Sequence, residues 1–262
     1  MQTDSTRGTK ILRPQLDTFM QSCMVNGDTW RNSGFLPPPG GGEFGAGVLN
    51  MSPGWFQQSH EVSHFILLNI LWFVCLSSLC LEKLNEKIYV SSDVRSDDAA
   101  DFLQATANVD LIANAITALI APQQYDAGLA AIQLLKDGMH LHKTHPNLEC
   151  WTSVWSGFAM IVNRKTYIHR DVGAAPMDYD LLFSSGTHKQ CMLDVRDLGL
   201  RLLYPPGTGV AIAGKVLRHG VETWDGGERI CQAWFMKDAV HDRLGQQRPD
   251  WVCHKNYLDL LT

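Results

Sequence analysis

GVAIAGKVLRHGVETWDGGERICQAWFMKD, residues 209–238, decides the fold. Two runs rich in β-branched and aromatic residues flank Asp225-Gly226-Gly227, the composition of a tight turn between strands. Side chains alternate across a strand. The second run therefore puts Arg229, Cys231, Ala233, Phe235 and Lys237 on one face, and Ile230, Gln232, Trp234 and Met236 on the other. In the first run His219 shares a face with Leu217, Ala213 and Ala211. Read as antiparallel neighbours, the two strands aim His219 and Arg229 into one barrel mouth.

Upstream, CWTSVWSGFAMIVNR, MDYDLLFSSG, CMLDVRD and LRLLYPPG are further short strands from Cys150 onward, separated by turn residues such as Pro205-Pro206-Gly207. Residues 98–121 are alanine-rich, with Phe102, Val109, Ile112, Ile116 and Leu119 at helical spacing. Pro122 ends that helix and opens a second through Leu135, which Gly138 stops. Helices first and a meander of strands afterwards predict an α+β chain: a double-stranded β-helix (jelly roll) in the C-terminal half, buttressed by helices from the N-terminal half. The whole of 1–262 reads as one catalytic domain. It comprises an N-terminal extension with a flexible Gly/Pro loop (1–62), a helical buttress (63–148), the strand core (149–240) and a C-terminal segment (241–262).

Pro37-Pro38-Pro39 followed by Gly40, Gly41, Gly42, Gly45 and Gly47 predicts a long loop over 37–47, because neither residue type suits an element interior. Ser63–Leu81 is apolar enough to imitate a membrane span. It carries His64, Asn69, Ser77 and Ser78 and runs directly into LEKLNEK, so a buried core helix over 63–88 is expected and no membrane partner. The HLHKTH cluster of His140, His142 and His145 fits no zinc spacing and reads as a solvated loop.

The seven cysteines are an odd number without Cys-x-x-Cys spacing, which points to reduced thiols rather than a disulfide framework or a zinc ribbon. The N-terminus lacks an apolar secretion signal. A net charge of -5 excludes the bulk basic character of many nucleic-acid binders, so any DNA contact must come from a local surface.

The chemistry is concentrated in His169-Arg170-Asp171, His219 and Arg229. Two imidazoles and a carboxylate can occupy one face of an octahedral Fe(II), leaving three positions open. An arginine ten residues after the second His can hold the far carboxylate of 2-oxoglutarate, which its planar fork suits better than lysine. These are the parts of an iron- and 2-oxoglutarate-dependent oxygenase using O2 as cosubstrate. A His-x-Asp alone is common by chance, and it is the ordered set that carries the reading.

YIHRDVG (167–173), KVLRHGVE (215–222) and GERICQAWF (227–235) resemble the TET/JBP family of Fe(II)/2-oxoglutarate dioxygenases, its compact members most closely. The resemblance covers about residues 150–240 and implies oxidation of methyl groups on flipped DNA bases. It implies that His169, Asp171 and His219 ligate iron, that Arg229 and Arg164 bind 2-oxoglutarate, and that Phe235 stacks on the base. The implied partner is double-stranded DNA carrying a methylated base, the protein acting as a monomer in the nucleus.

Two positions depart from the family pattern. Ala174 stands where an Asn or Asp reads cytosine, and Lys237 where a His contacts the base. The substrate is therefore expected to be 5-methylcytosine, N6-methyladenine, or both, with Asp178 or His241 as replacement polar readers. Arg164, Lys165, Arg170, Lys189, Lys215, Arg218 and loop 37–47 are the candidate DNA contacts. An AlkB-like repair demethylase is the alternative with the same chemistry, although its second arginine position holds Phe235. A catalytically inactive cupin-like DNA-binding module is the alternative from another class.

Overall fold

The computed structural model describes residues 46–55, 87–139 and 141–251. The expected helix over 63–88 and loop over 37–47 fall largely outside these residues.

Among the described residues, nine strands form two antiparallel sheets. The larger has the order β1-β2-β9-β4-β7: Gly47–Met51, Gly157–Val162, Arg229–Phe235, Asp180–Gly186 and Gly209–Ile212. The smaller has the order β3-β8-β5-β6: Thr166–His169, His219–Val221, Met192–Val195 and Leu200–Leu203. This is the expected jelly roll. The strand phase of β9 sorts as its sequence requires. Ile230, Trp234 and Met236 join the core under the helices, while Cys231 joins Leu182, Leu193, Tyr204, Ile212 and Val221 between the sheets.

Two expectations about the strands are corrected. His219 and Arg229 are not hairpin neighbours. β8 pairs with β3 and β5, and β9 with β2 and β4, so the Asp-Gly-Gly turn carries the chain from one sheet to the other. The run 209–221 is likewise broken, by a turn at which Val216 and Leu217 both donate backbone hydrogen bonds to the Ala213 carbonyl. Residues inside the supposed N-terminal extension supply β1, which pairs with β2 from Gly47↔Val162 to Met51↔Phe158. A five-residue strand beside a Pro/Gly run is hard to distinguish from loop by composition.

Helix α1 (Ala99–Ile120) and helix α2 (Pro122–Gln133), which continues into a π-turn at Leu134–Gly138, cover the outer face of the larger sheet. By length and composition α1 is the one described helix that could cross a membrane. Its packing follows the apolar spacing only in part: Phe102 is buried and Val109 and Ile116 pack against the core, but Ile112 and Leu119 are exposed, whereas Asp110, Asn114 and Thr117 are buried. Tertiary partners explain the inversion. Asp110 accepts hydrogen bonds from the Trp234 indole (2.9 Å) and the Thr152 hydroxyl (3.0 Å), and Asn114 bonds the Thr152 carbonyl and the Val154 amide. The segment after α2 forms a short helix, α3 (Leu141–Thr144), and a 3-10 turn from Pro146 to Cys150, rather than the loop expected there. Helix α4 (Asp238–Arg243) follows β9.

Candidate active site

A cavity of about 350 Å³ opens between the two sheets, the interior position that jelly rolls commonly offer to ligands. His169, Asp171, Ala174, His219, Arg229, Phe235 and Lys237 all line it. His219 and Arg229 face each other across the gap although they lie in different sheets, because inward-facing residues of either sheet look into the same space.

At the mouth, His169, Asp171 and His219 bring one ligand atom each to within 4.8 Å of one another. β3 and β8 place the imidazoles side by side through the pair His169↔His219, with ring centroids 4.6 Å apart. Asp171 is fixed by its backbone amide, which donates to the Gly214 carbonyl at 3.0 Å. A Cβ on Gly214 would collide with the carboxylates of both Asp171 and Asp180, so glycine is what permits this approach.

The hydrogen bonds set the tautomers. His169 Nδ1 lies 2.8 Å from the Tyr167 carbonyl and His219 Nδ1 lies 3.0 Å from the Leu217 carbonyl. A carbonyl only accepts, so Nδ1 carries the proton and Nε2 keeps the lone pair in each neutral ring. Those Nε2 atoms face the Asp171 carboxylate at 3.3 and 3.4 Å. Lone pairs facing a carboxylate require a cation or extra protons between them. The donor set and its backbone support fit a divalent metal. Without one, hydrogen bonding to Asp171 holds the His169 pKa above its ordinary value. Burial pushes the Asp171 carboxyl up, but the His169 hydrogen bond and the two imidazole charges outweigh it, and the net direction is down.

The other end of the cavity is closed. Arg229 is 2% exposed, and among the described residues no carboxylate pairs with it. Its Nη1 donates to the Arg164 carbonyl at 3.0 Å, its guanidinium lies over Trp224 at 5.7 Å, and its buried Nε has no acceptor. Its backbone is clamped by Asn163, whose amide donates to the Arg229 carbonyl (2.7 Å) and whose side-chain oxygen accepts from the Arg229 amide (2.8 Å). Asn163 does this at φ 48, a left-handed conformation that asparagine tolerates. An unpaired buried cation is costly, and the arrangement fits an anionic ligand entering from the cavity.

Several expected residues sit elsewhere. Arg164 reaches the site through its carbonyl, while its exposed side chain does not line the cavity. Asp178 accepts from the Ala175 amide and His241 contacts the Ser156 hydroxyl, so neither lines the cavity in place of the altered base readers. Among the candidate DNA contacts, Arg170 and Arg218 converge on Asp197 at the rim, and Lys215 donates to the Val172 carbonyl.

Sequence reasoning missed Trp55, Asp180 and Tyr204, all of which line the cavity. Lys237 Nζ lies 3.3 Å above the Trp55 ring and 5.4 Å from the Phe235 ring, a close cation–π contact. Asp180 is buried beside Asp171; burial and then the Asp171 charge push its carboxyl well above the ordinary range. Trp55 lies far upstream of the motif residues, and Asp180 and Tyr204 fall between the motifs rather than within one, so no local spacing signals them.

A family model described as the oxygenase domain of the 2OGFeDO superfamily, Tet_JBP, matches residues 91–238. No curated protein sequence matches the chain. Among solved structures, NgTET1 in complex with 5mC DNA is similar at 12% identity over 95% of this chain and 98% of that one, with a TM-score of 0.42. A Cupin 2 conserved barrel domain protein from Salinispora arenicola CNS-205 is similar at 16% identity over 34% of this chain and 69% of that one, with a TM-score of 0.25.

Proposed function

Since the chain belongs to the Tet/JBP oxygenase family of the 2OGFeDO superfamily, we propose that it oxidises methyl groups on bases of double-stranded DNA, using Fe(II) and 2-oxoglutarate. The observation that carries this reading is the pairing of two complementary ligand sets in one cavity: the His169, Asp171 and His219 donors, and the buried Arg229 without a carboxylate partner.

In this reading His169 and His219 present Nε2, and Asp171 a carboxylate oxygen, to the iron. Arg229 takes the far carboxylate of 2-oxoglutarate, which orients the keto-acid end toward the mouth. Iron, cosubstrate and dioxygen together supply the oxidation of an unactivated C–H bond, with conversion of 2-oxoglutarate to succinate and CO2. Phe235, on the Arg229 face of β9, offers its ring to a flipped base, since stacking is the general means of holding a base extruded from the duplex. Lys237 adds a cation that donates hydrogen bonds and accepts none. Ala174 leaves room where a larger polar side chain would stand.

Both 5-methylcytosine and N6-methyladenine are proposed substrates. Their products differ: a hydroxylated N-methyl group loses formaldehyde and restores adenine, whereas 5-hydroxymethylcytosine keeps its carbon–carbon bond and can be oxidised further. The test measures succinate formed with Fe(II) by the purified protein on three duplexes: unmethylated, 5-methylcytosine and N6-methyladenine. Iron-dependent succinate stimulated by a methylated duplex is expected. Equal succinate on all three removes the DNA-methyl assignment, and a rate confined to 5-methylcytosine removes the adenine branch.

A further inference from the structure

The closed end of the cavity holds a second buried polar group. Tyr204, directly after β6, is 1% exposed and lines the same cavity as Arg229. Its backbone is pinned: the amide donates to the Cys191 carbonyl at 2.8 Å, and the carbonyl receives Ser184 Oγ at 3.3 Å and His188 Nε2 at 3.2 Å. Among the described residues its hydroxyl has one hydrogen-bond partner, the Cys231 thiol at 3.8 Å. Sulfur is a weak hydrogen-bond partner, so a buried phenol facing only a thiol is poorly satisfied. Cys231 is two residues from Arg229 on the same face of β9, so the thiol that meets the tyrosine hydroxyl shares a cavity-facing row with Arg229. Burial pushes the phenol pKa well up, so the hydroxyl keeps its proton and is a donor. The neighbouring thiols Cys191 and Cys231 are buried, and burial pushes both of their pKa values up.

We propose that Tyr204 is a second anchor for the far carboxylate of the cosubstrate, donating a hydrogen bond to it beside Arg229. This rests on the reading of the cavity as a 2-oxoglutarate site. Arg229 supplies the charge and the Tyr204 hydroxyl supplies a fixed direction, so the pair selects a dicarboxylate over a shorter 2-oxoacid. Cys231, lying between them, spaces the two donors and offers the carboxylate no strong hydrogen bond of its own.

The test is calorimetric titration of the Fe(II)-loaded protein without dioxygen, comparing Tyr204→Phe with wild type. Two ligands are used: 2-oxoglutarate, and 2-oxobutyrate, which has the same keto-acid head and no far carboxylate. Tyr204→Phe is expected to weaken 2-oxoglutarate at least about tenfold, as loss of a hydrogen bond to a charged group does, and to leave 2-oxobutyrate unchanged. Equal 2-oxoglutarate affinity in the two proteins overturns the proposal while the cosubstrate reading stands. Parallel weakening of both ligands also overturns it, since the tyrosine is then only structural. Failure of wild type to bind 2-oxoglutarate overturns the cosubstrate reading and this proposal together.

Discussion

The two ends of the cavity are built on opposite principles. At the mouth the side chains of His169 and Asp171 are 39% and 36% exposed, and the donors come from β3, β8 and the short segment after β3. At the closed end Arg229 and Tyr204 are 2% and 1% exposed and are held by groups on at least three separate elements. In the proposed reading the mouth exchanges ligands and admits a large substrate, while the closed end would recognise one small anion in a low-dielectric setting where a charge-assisted hydrogen bond is strong. The proposal thus assigns chemistry to the accessible end and cosubstrate identity to the inaccessible one.

The sharpest way to separate the two ends is to disable each in turn. Asp171→Ala removes the carboxylate between the two imidazoles. Turnover is expected to vanish and bound iron, measured by metal analysis, to be lost; full activity would show the metal assignment to be wrong. Arg229→Met leaves the mouth intact. It is expected to weaken 2-oxoglutarate by about a hundredfold in calorimetry, with iron content unchanged, because a charged anchor is lost. Phe235→Ala changes neither end. It should raise KM for methylated DNA about tenfold or more, the range for loss of one stacking contact, and leave 2-oxoglutarate consumption uncoupled from base oxidation. An unaltered KM would place the base elsewhere in the cavity.

A further expected effect lies outside the cavity and bears on the scaffold that both ends share. Burial raises the Asp110 carboxyl from 3.8 to about 6, only partly offset by its bonds from Trp234 and Thr152. A raised folded-state pKa means that the folded state holds the proton longer than the unfolded chain does. The resulting stability is complete below about pH 4 and is lost as pH rises through about 6. Relative to Asp110→Asn, wild type should therefore lose roughly 3 kcal/mol across that window, read from denaturant melts at several pH values. A pH-independent difference between the two proteins would contradict this assignment.

Much of this was legible in the sequence, and the failures share a physical cause. The period-two alternation of 229–237 identified the inward face of β9, since each of Arg229, Cys231, Ala233, Phe235 and Lys237 lines the cavity. The Asp-Gly-Gly turn misled because two glycines at positive φ, 52 and 70, serve a crossing between sheets as readily as a hairpin. In α1 the spacing of apolar residues identified Phe102, Val109 and Ile116 but not Asp110 and Asn114, whose partners around Thr152 only tertiary structure supplies. Trp55 and Tyr204 were invisible for the same reason: each is remote in the chain from the residue whose role it modifies. The Asp171 donor set stood out because two of its three members are two residues apart.

Gly157 pairs with Phe235 across β2 and β9, and a Cβ there would run into the face of the phenylalanine ring. The ring therefore rests on bare backbone, and its height above the sheet is set by a missing methyl group. A one-carbon change at 157 would displace the ring without changing the identity of any residue that lines the cavity. The seat of that ring is thus fixed by a position that contributes no side chain of its own.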